Sequence, residues 1–254
     1  MGPWNADDIR PGEPYELSDG HKIECMGTGQ RGSRANGSGF MVLDSDPVAP
    51  PAGVDVGVSP VPEILRAPDI AVGGLNDEPG WAKTAPPLCV EYADKDQDEN
   101  ELQKKIVELL RCGTHFIWVV RMAGPRRVEI YQPGQPMRLA LPGDVLNASP
   151  ILKNPVPVEA LYDRDAAHRH TLRNLLQREG YEDLDAVKAE GREEGRDEGR
   201  LSEARAALRR VLARRRLELS AEDSVRIEAC ADLALLERWL DQAVDAPTAA
   251  LALQ

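Results

Sequence analysis

Between Pro68 and Arg121 the chain sets charged side chains inside runs that otherwise belong in a buried core. The stretch reads PDIAV, a loop, PLCVEYA, an acidic turn, ELQKKIVELLRCG and THFIWVVR. The apolar runs have the length and composition of buried strands. Asp69 stands at the start of one and Glu91 inside another. An ionised carboxylate in an apolar strand is costly unless a cation meets it, so Glu91 requires a metal, a lysine or an arginine.

The segment that follows supplies one. A helix is predicted from about Glu101 to Arg111, led in by the acid-rich run ADKDQDENE, whose charges suit a helix N-terminus. That run lacks the glycine and terminal glutamate spacing of an EF-hand, so it reads as a helix start rather than a calcium loop. On a helical wheel Leu102, Ile106, Leu109 and Gly113 share one face, and Lys105 flanks that stripe at about 60°. Lys104 points away, with Glu101 at i−3 and Glu108 at i+4 as surface partners. Lys105 is therefore the lysine positioned to reach inward.

At 254 residues the chain has room for one catalytic domain and an appendage. A net charge of −12 excludes a protein that holds nucleic acid by bulk electrostatics, so any nucleic-acid site must be local. Cys25, Cys89, Cys112 and Cys230 are far apart and match no zinc-ligand spacing, which favours reduced thiols. His21, His115, His168 and His170 likewise show no ligand spacing. No leader pattern and no apolar run of about 20 residues is present, so a soluble, cytoplasmic protein with no membrane partner is expected.

Three regions are expected: an N-terminal arm over 1–14, a central domain over 15–162 and a helical extension over 163–254. The arm is polar, read as loose, with Trp4 as its one possible anchor. YELSDGHKIECM reads as a hairpin turning at Asp19-Gly20. GTGQRGSRANGSG, with Arg31 and Arg34, reads as a flexible loop because it lacks the strand, spacing and lysine of a P-loop, and FMVLD after it reads as a strand. HFIWVVR and RRVEIYQ read as two strands across a MAGP turn, the first central. LPGDVL resembles a sheet edge. In the extension, three tandem EGR units place Gly191, Gly195 and Gly199 inside a helix, each at a cost of about 0.5–1 kcal/mol relative to alanine. That helix serves either as a semi-flexible spacer or as a surface a second helix can approach. A final helix is expected from a Ser220/Asp223 capping box, with an apolar stripe of Val225, Ala229, Leu233, Leu236, Leu240 and Val244 that needs a partner.

Two carboxylates on adjoining strands with a lysine on the next helix are the ingredients of a metal-dependent phosphodiesterase. Asp69 and Glu91 would hold Mg²⁺ or Mn²⁺ and Lys105 would orient or deprotonate water and stabilise developing charge. The same residues are equally the makings of a buried ion pair of Glu91 with Lys105 or Arg66. The order of an APD strand, a strand ending VEYA, an acidic turn, a lysine-bearing helix, a G-T-x-x-x-W pattern and a VEIY strand resembles the Uma2 family, also called DUF820, of the PD-(D/E)XK nuclease superfamily. The resemblance covers about residues 15–162 and includes YELSDG. It implies an α/β, restriction-endonuclease-like mixed sheet flanked by helices, here followed by a charged helical C-terminal extension. It also implies a Mg²⁺-dependent endonuclease acting on DNA, with Asp69 and Glu91 as metal ligands, Lys105 as the catalytic lysine and Glu16 as a further acid of the pattern. The superfamily lysine normally stands two residues after the glutamate, where this chain has Ala93; Lys95 is the weaker substitute. The family's long helix after the opening hairpin is not visible in the sequence. The tail resembles extensions on some related nucleases and suggests a homo-oligomer formed through its helices. The competing reading is a catalytically degenerate nuclease-fold protein that binds nucleic acid or protein, with the Arg209, Arg210, Arg214, Arg215 and Arg216 cluster as a phosphate contact. A solvated helix face is the plainer account of that cluster.

Overall fold

The computed structural model describes residues 3–25, 27–95 and 98–254. Two compact units divide the chain, Met1–Glu182 and Asp183–Gln254.

The first unit is built on a six-stranded sheet in the order β3 (Ala52–Val54), β4 (Ile70–Val72), β5 (Leu88–Ala93), β6 (Phe116–Arg121), β7 (Arg127–Tyr131), β8 (Arg138–Ala140). β5 and β6 are parallel and every other pair is antiparallel. The parallel pair is joined by α2 (Glu99–Arg111), the kind of crossover a parallel connection requires. β5 is buried along its whole length, as its continuous apolar run predicts. Its side chains divide by the period of two. Val90 and Tyr92 join the larger core with α1 (Gln30–Asp44), while Cys89 and Ala93 join Leu102, Ile106 and Leu109 under α2. Glu91 shares the parity of Cys89 and Ala93, and therefore belongs to the α2 layer.

The opening hairpin forms as its sequence dictates: β1 (Tyr15–Ser18) and β2 (His21–Glu24) turn through Asp19 and Gly20, both at positive φ, as a tight hairpin needs. β1 is not in the main sheet. Leu17 exchanges both backbone hydrogen bonds with Leu65, at 2.8 and 3.1 Å, which brings Glu16 beside Arg66. A two-residue pair, β9 (Val145–Leu146) with β10 (Val156–Pro157), lies apart and includes the segment read as a sheet edge.

Several expectations need correction. The described part of the N-terminal arm is packed: Ala6 and Ile9 are buried in a cluster with Leu17 and Leu65, and Lys22 Nζ stands 3.6 Å from the centroid of the Trp4 ring. The glycine-rich segment and FMVLD form one helix, α1, so the long helix after the hairpin is present. Its small residues are a packing device: a Cβ at Gly39 would run into Tyr92 Oη, which donates to Leu161 O at 2.8 Å. Glycine was read for its flexibility when the local requirement was close approach. The first unit also extends beyond Tyr162 to Glu182, because α3 (Arg164–Arg178) packs on α1 and Asn174 Nδ2 donates to Val42 O at 3.0 Å.

In the second unit, α4 (Leu184–Arg214) carries the EGR repeats, and beyond the helix's own adjacent backbone no heavy atom lies within 4 Å of a Cβ built at Gly191, Gly195 or Gly199. The expected last helix is two, α5 (Ala221–Ala229) and α6 (Leu233–Asp245), followed by the short α7 (Ala249–Ala252). The Ser220/Asp223 capping box forms. Val225 and Val244 are exposed, and the buried seam is instead Leu208, Leu212, Ile227, Leu236 and Trp239, with α4 as the partner. The break at Cys230 resets the helical phase, so a stripe drawn through it could not hold.

Candidate active site

The edge of β4, the middle of β5 and the first half of α2 meet in an open cavity of about 740 Å³. Glu16, Arg66, Asp69, Glu91 and Lys105 all line it. Pairing of Ile70 with Val90 continues to set Asp69 opposite Glu91, and Asp69 Oδ2 accepts the Tyr92 amide at 2.6 Å. α2 is fixed by its caps: Asp98 accepts from Asn100 N and Glu101 N at 2.9 and 3.1 Å, Glu99 and Glu101 sit in the first turn, and Gly113 at positive φ follows its end. Lys105 is thereby held over Glu91.

Its ammonium donates to Ala67 O at 2.7 Å and to Glu91 Oε2 at 3.2 Å. Glu91 Oε1 lies 2.9 Å from the same nitrogen without hydrogen-bond alignment, and Glu16 Oε1 lies at 3.2 Å. Lys105 was read as the inward lysine, and its side chain is only 13% exposed against 58% for Lys104. Lys104 pairs with Glu101 at 2.5 Å. Glu108, read as another surface partner of Lys104, turns inward to Arg66.

Arg66 does not pair with Glu91. Its Nε reaches Glu108 Oε2 at 2.5 Å and its NH1 reaches Glu16 Oε2 at 2.9 Å. Ser18 Oγ donates to Glu108 Oε1 at 2.7 Å, and Ala67 N donates to Glu16 Oε1 at 3.1 Å. This buried chain ties the hairpin, the Arg66 segment and α2 together behind the candidate site, and the sequence reading missed it. Glu108 stands three residues after Lys105, on the same helix face, which was the available signal. Lys95 lines the cavity, and the described contact of its backbone is a 2.7 Å hydrogen bond to Asp94 Oδ1.

Burial raises Glu91 to about 8, against the opposing pull of Lys105 and with the help of Asp69. Asp69 is also raised by burial, despite Lys105 and the Tyr92 amide. Glu16 moves the other way: burial would raise it, but Lys105 and Arg66 together hold it below its ordinary range. Burial alone would lower Lys105, yet Glu91, Glu16 and Asp69 outweigh it and raise the amine. The acids around Lys105 thus favour its charged form, the form suited to orienting and offsetting negative charge.

Among the described residues no group of three or more His, Cys, Asp or Glu side chains is assembled as a metal cage. Mg²⁺ does not need one, since it binds through one or two carboxylates and keeps several waters. Asp69 and Glu91 put two carboxylates on the cavity wall, and the buried Glu91 Oε1, 2.9 Å from Lys105 Nζ, makes no aligned hydrogen bond.

The architecture is a mixed α/β fold, with a six-stranded sheet flanked by helices and a helical C-terminal region. It is similar to the crystal structure of the Anabaena variabilis ATCC 29413 protein described as "a putative nuclease belonging to DUF820", with a TM-score of 0.55 and 20% identity over 65% of this chain and 99% of that chain. No family model and no curated protein matches the sequence. No described helix is long and apolar enough to cross a membrane.

Proposed function

We propose that the chain is a Mg²⁺-dependent endonuclease of the PD-(D/E)XK kind that hydrolyses phosphodiester bonds in DNA. The observation that carries this reading is the meeting of Asp69, Glu91 and the Lys105 ammonium on one wall of an open polar cavity. Asp69 and Glu91 would hold the ion, which supplies Lewis-acid polarisation of the phosphate and a bound water of lowered pKa. Lys105, fixed by Ala67 O, stands where a permanent positive charge would orient the phosphate and offset charge developing on its oxygens. Glu16 and Arg66 act through Lys105, as groups that hold it in place.

The second reading, a degenerate nuclease fold kept for binding, is favoured by the same ammonium: it already neutralises Glu91 and Glu16, and Ala93 occupies the usual lysine position. Cleavage of supercoiled plasmid with Mg²⁺ or Mn²⁺ separates the two. The nuclease reading expects nicking by the wild type and at least a 100-fold loss in folded Asp69→Asn and Lys105→Ala. A wild type as inert as both variants, with no metal binding by calorimetry, leaves the binding reading standing.

A further inference from the structure

A second cavity, about 810 Å³, lies on the α1 and α3 side of the sheet, walled by α1, the turn after β6 and the start of α3. It is lined by Arg31, Arg34, Arg126 and Arg164, with Asp163 as its one acid among the described residues. In a chain of net charge −12 this local excess of positive charge runs against the whole. Asp163 is engaged at the N-terminus of α3, where it accepts from Ala166 N at 2.8 Å. Arg126 is immobilised by donation to Met122 O at 2.6 Å and by the Tyr162 ring, 5.4 Å away. Among the described residues, neither Arg34 nor Arg164 has a carboxylate partner, and both are exposed.

The two cavities adjoin at one contact. Arg31, on the wall of the basic groove, forms a two-pronged ion pair with Asp94, on the wall of the candidate active site, with Nε 2.7 Å from Oδ2. Gly37 lines the same groove with nothing within 4 Å of a Cβ built on it, so its missing side chain serves no packing and keeps the groove open. The sequence required any nucleic-acid site on so acidic a chain to be local. This groove meets that requirement and leads to the carboxylates.

We propose that the groove binds the phosphodiester backbone of a DNA strand and feeds it past the Arg31–Asp94 pair to Asp69, Glu91 and Lys105, with Arg34 and Arg164 as phosphate contacts. The choice of DNA rests on the nuclease reading above; the groove itself rests on its own geometry. Rim arginines are ordinarily a solvated surface, and what sets Arg34, Arg126 and Arg164 apart is convergence on one concave wall with no ion-pair partner among the described residues.

The test is fluorescence anisotropy of a labelled DNA duplex with the full chain in EDTA, between 50 and 200 mM salt, for the wild type, Arg34→Ala/Arg164→Ala and the distant control Arg138→Ala. The double variant should bind on the order of ten-fold or more weakly at low salt, with the slope of log K against log salt reduced by about 2, while the control is unchanged. Absence of wild-type binding at 50 mM salt, or a double variant with unaltered affinity and slope, overturns the proposal. Plasmid cleavage with Mg²⁺ is scored separately. Groove-dependent binding without cleavage refutes the nuclease reading and leaves the groove; cleavage with groove-independent binding does the reverse.

Discussion

Replacing Arg66 by leucine should damage the first unit more than any single change to the exposed arginines. The guanidinium is 2% exposed and holds two buried acids, Glu108 at 2.5 Å and Glu16 at 2.9 Å, on two different elements. Each acid keeps a second partner, Ser18 for Glu108 and the Ala67 amide with Lys105 for Glu16. The loss is therefore that of one broken buried network, about 3–5 kcal/mol, rather than twice that. Against a typical domain stability of about 5–15 kcal/mol this is about a fifth or more of the total. Urea unfolding followed by tryptophan fluorescence in a Trp239→Phe background reports the first unit alone, since Trp4, Trp81 and Trp118 all lie there. Glu16→Gln and Glu108→Gln added to Arg66→Leu should restore part of the loss, because amides need no counter-charge. The pH dependence follows from Glu16, whose carboxyl is held below its ordinary 4.5 in the folded protein. Its contribution is fully present above pH 4.5 and is lost as pH falls through the folded value, so Arg66→Leu should flatten that acid limb. A loss below about 1 kcal/mol, with an unchanged acid limb, would refute the idea that Arg66 braces the site.

Gly39→Ala should destabilise by about 1–3 kcal/mol, because its Cβ meets Tyr92 Oη, whereas Gly37→Ala should stabilise by about 0.5–1 kcal/mol; urea midpoints of the two variants moving together would contradict the packing account. Alanine at Gly191, Gly195 and Gly199 should raise far-UV helicity and add about 0.5–1 kcal/mol per site, since each faces open space. A fall in mass by light scattering for that triple variant would mean that the glycines seat a helix of another copy. The Cys89 thiol, pushed up to about 12 by burial, should resist alkylation at pH 8 until the first unit unfolds; mass spectrometry showing early labelling would place it nearer solvent.

The sheet, the crossover helix and the inward lysine were legible because each rests on a local period: two for the strands, 3.6 for α2. Glu91 was legible because charge inside an apolar run is a conflict that structure must resolve. The rest failed where the deciding contact is remote in sequence. α1 carries Gly39 inside a helix because Tyr92, on a strand that follows much later, needs a gap there. Glu108 looked like half of a surface pair, and only the Leu17–Leu65 pairing, which brings Arg66 under α2, makes it an interior acid. Val225 and Val244 were assigned to a stripe that the break at Cys230 dissolves. Joint placement of Asp69, Glu91 and Lys105 was expected from order and spacing; its chemistry awaits the cleavage experiment.

A cation delivered to β5 from a helix, across the layer, has a different kind of address from one carried on the strand. A strand lysine is pinned to its carboxylate by two residues of extended backbone. Lys105 is separated from Glu91 by the end of β5, the acidic segment before Asp98 and the first half of α2, so the capped helix rather than the strand decides where Nζ ends up. The sequence distance between the two charges is then a property of how strand and helix are joined rather than of the site. Relatives of this chain are better sought by the meeting of charges in space than by any fixed interval in the text of the sequence.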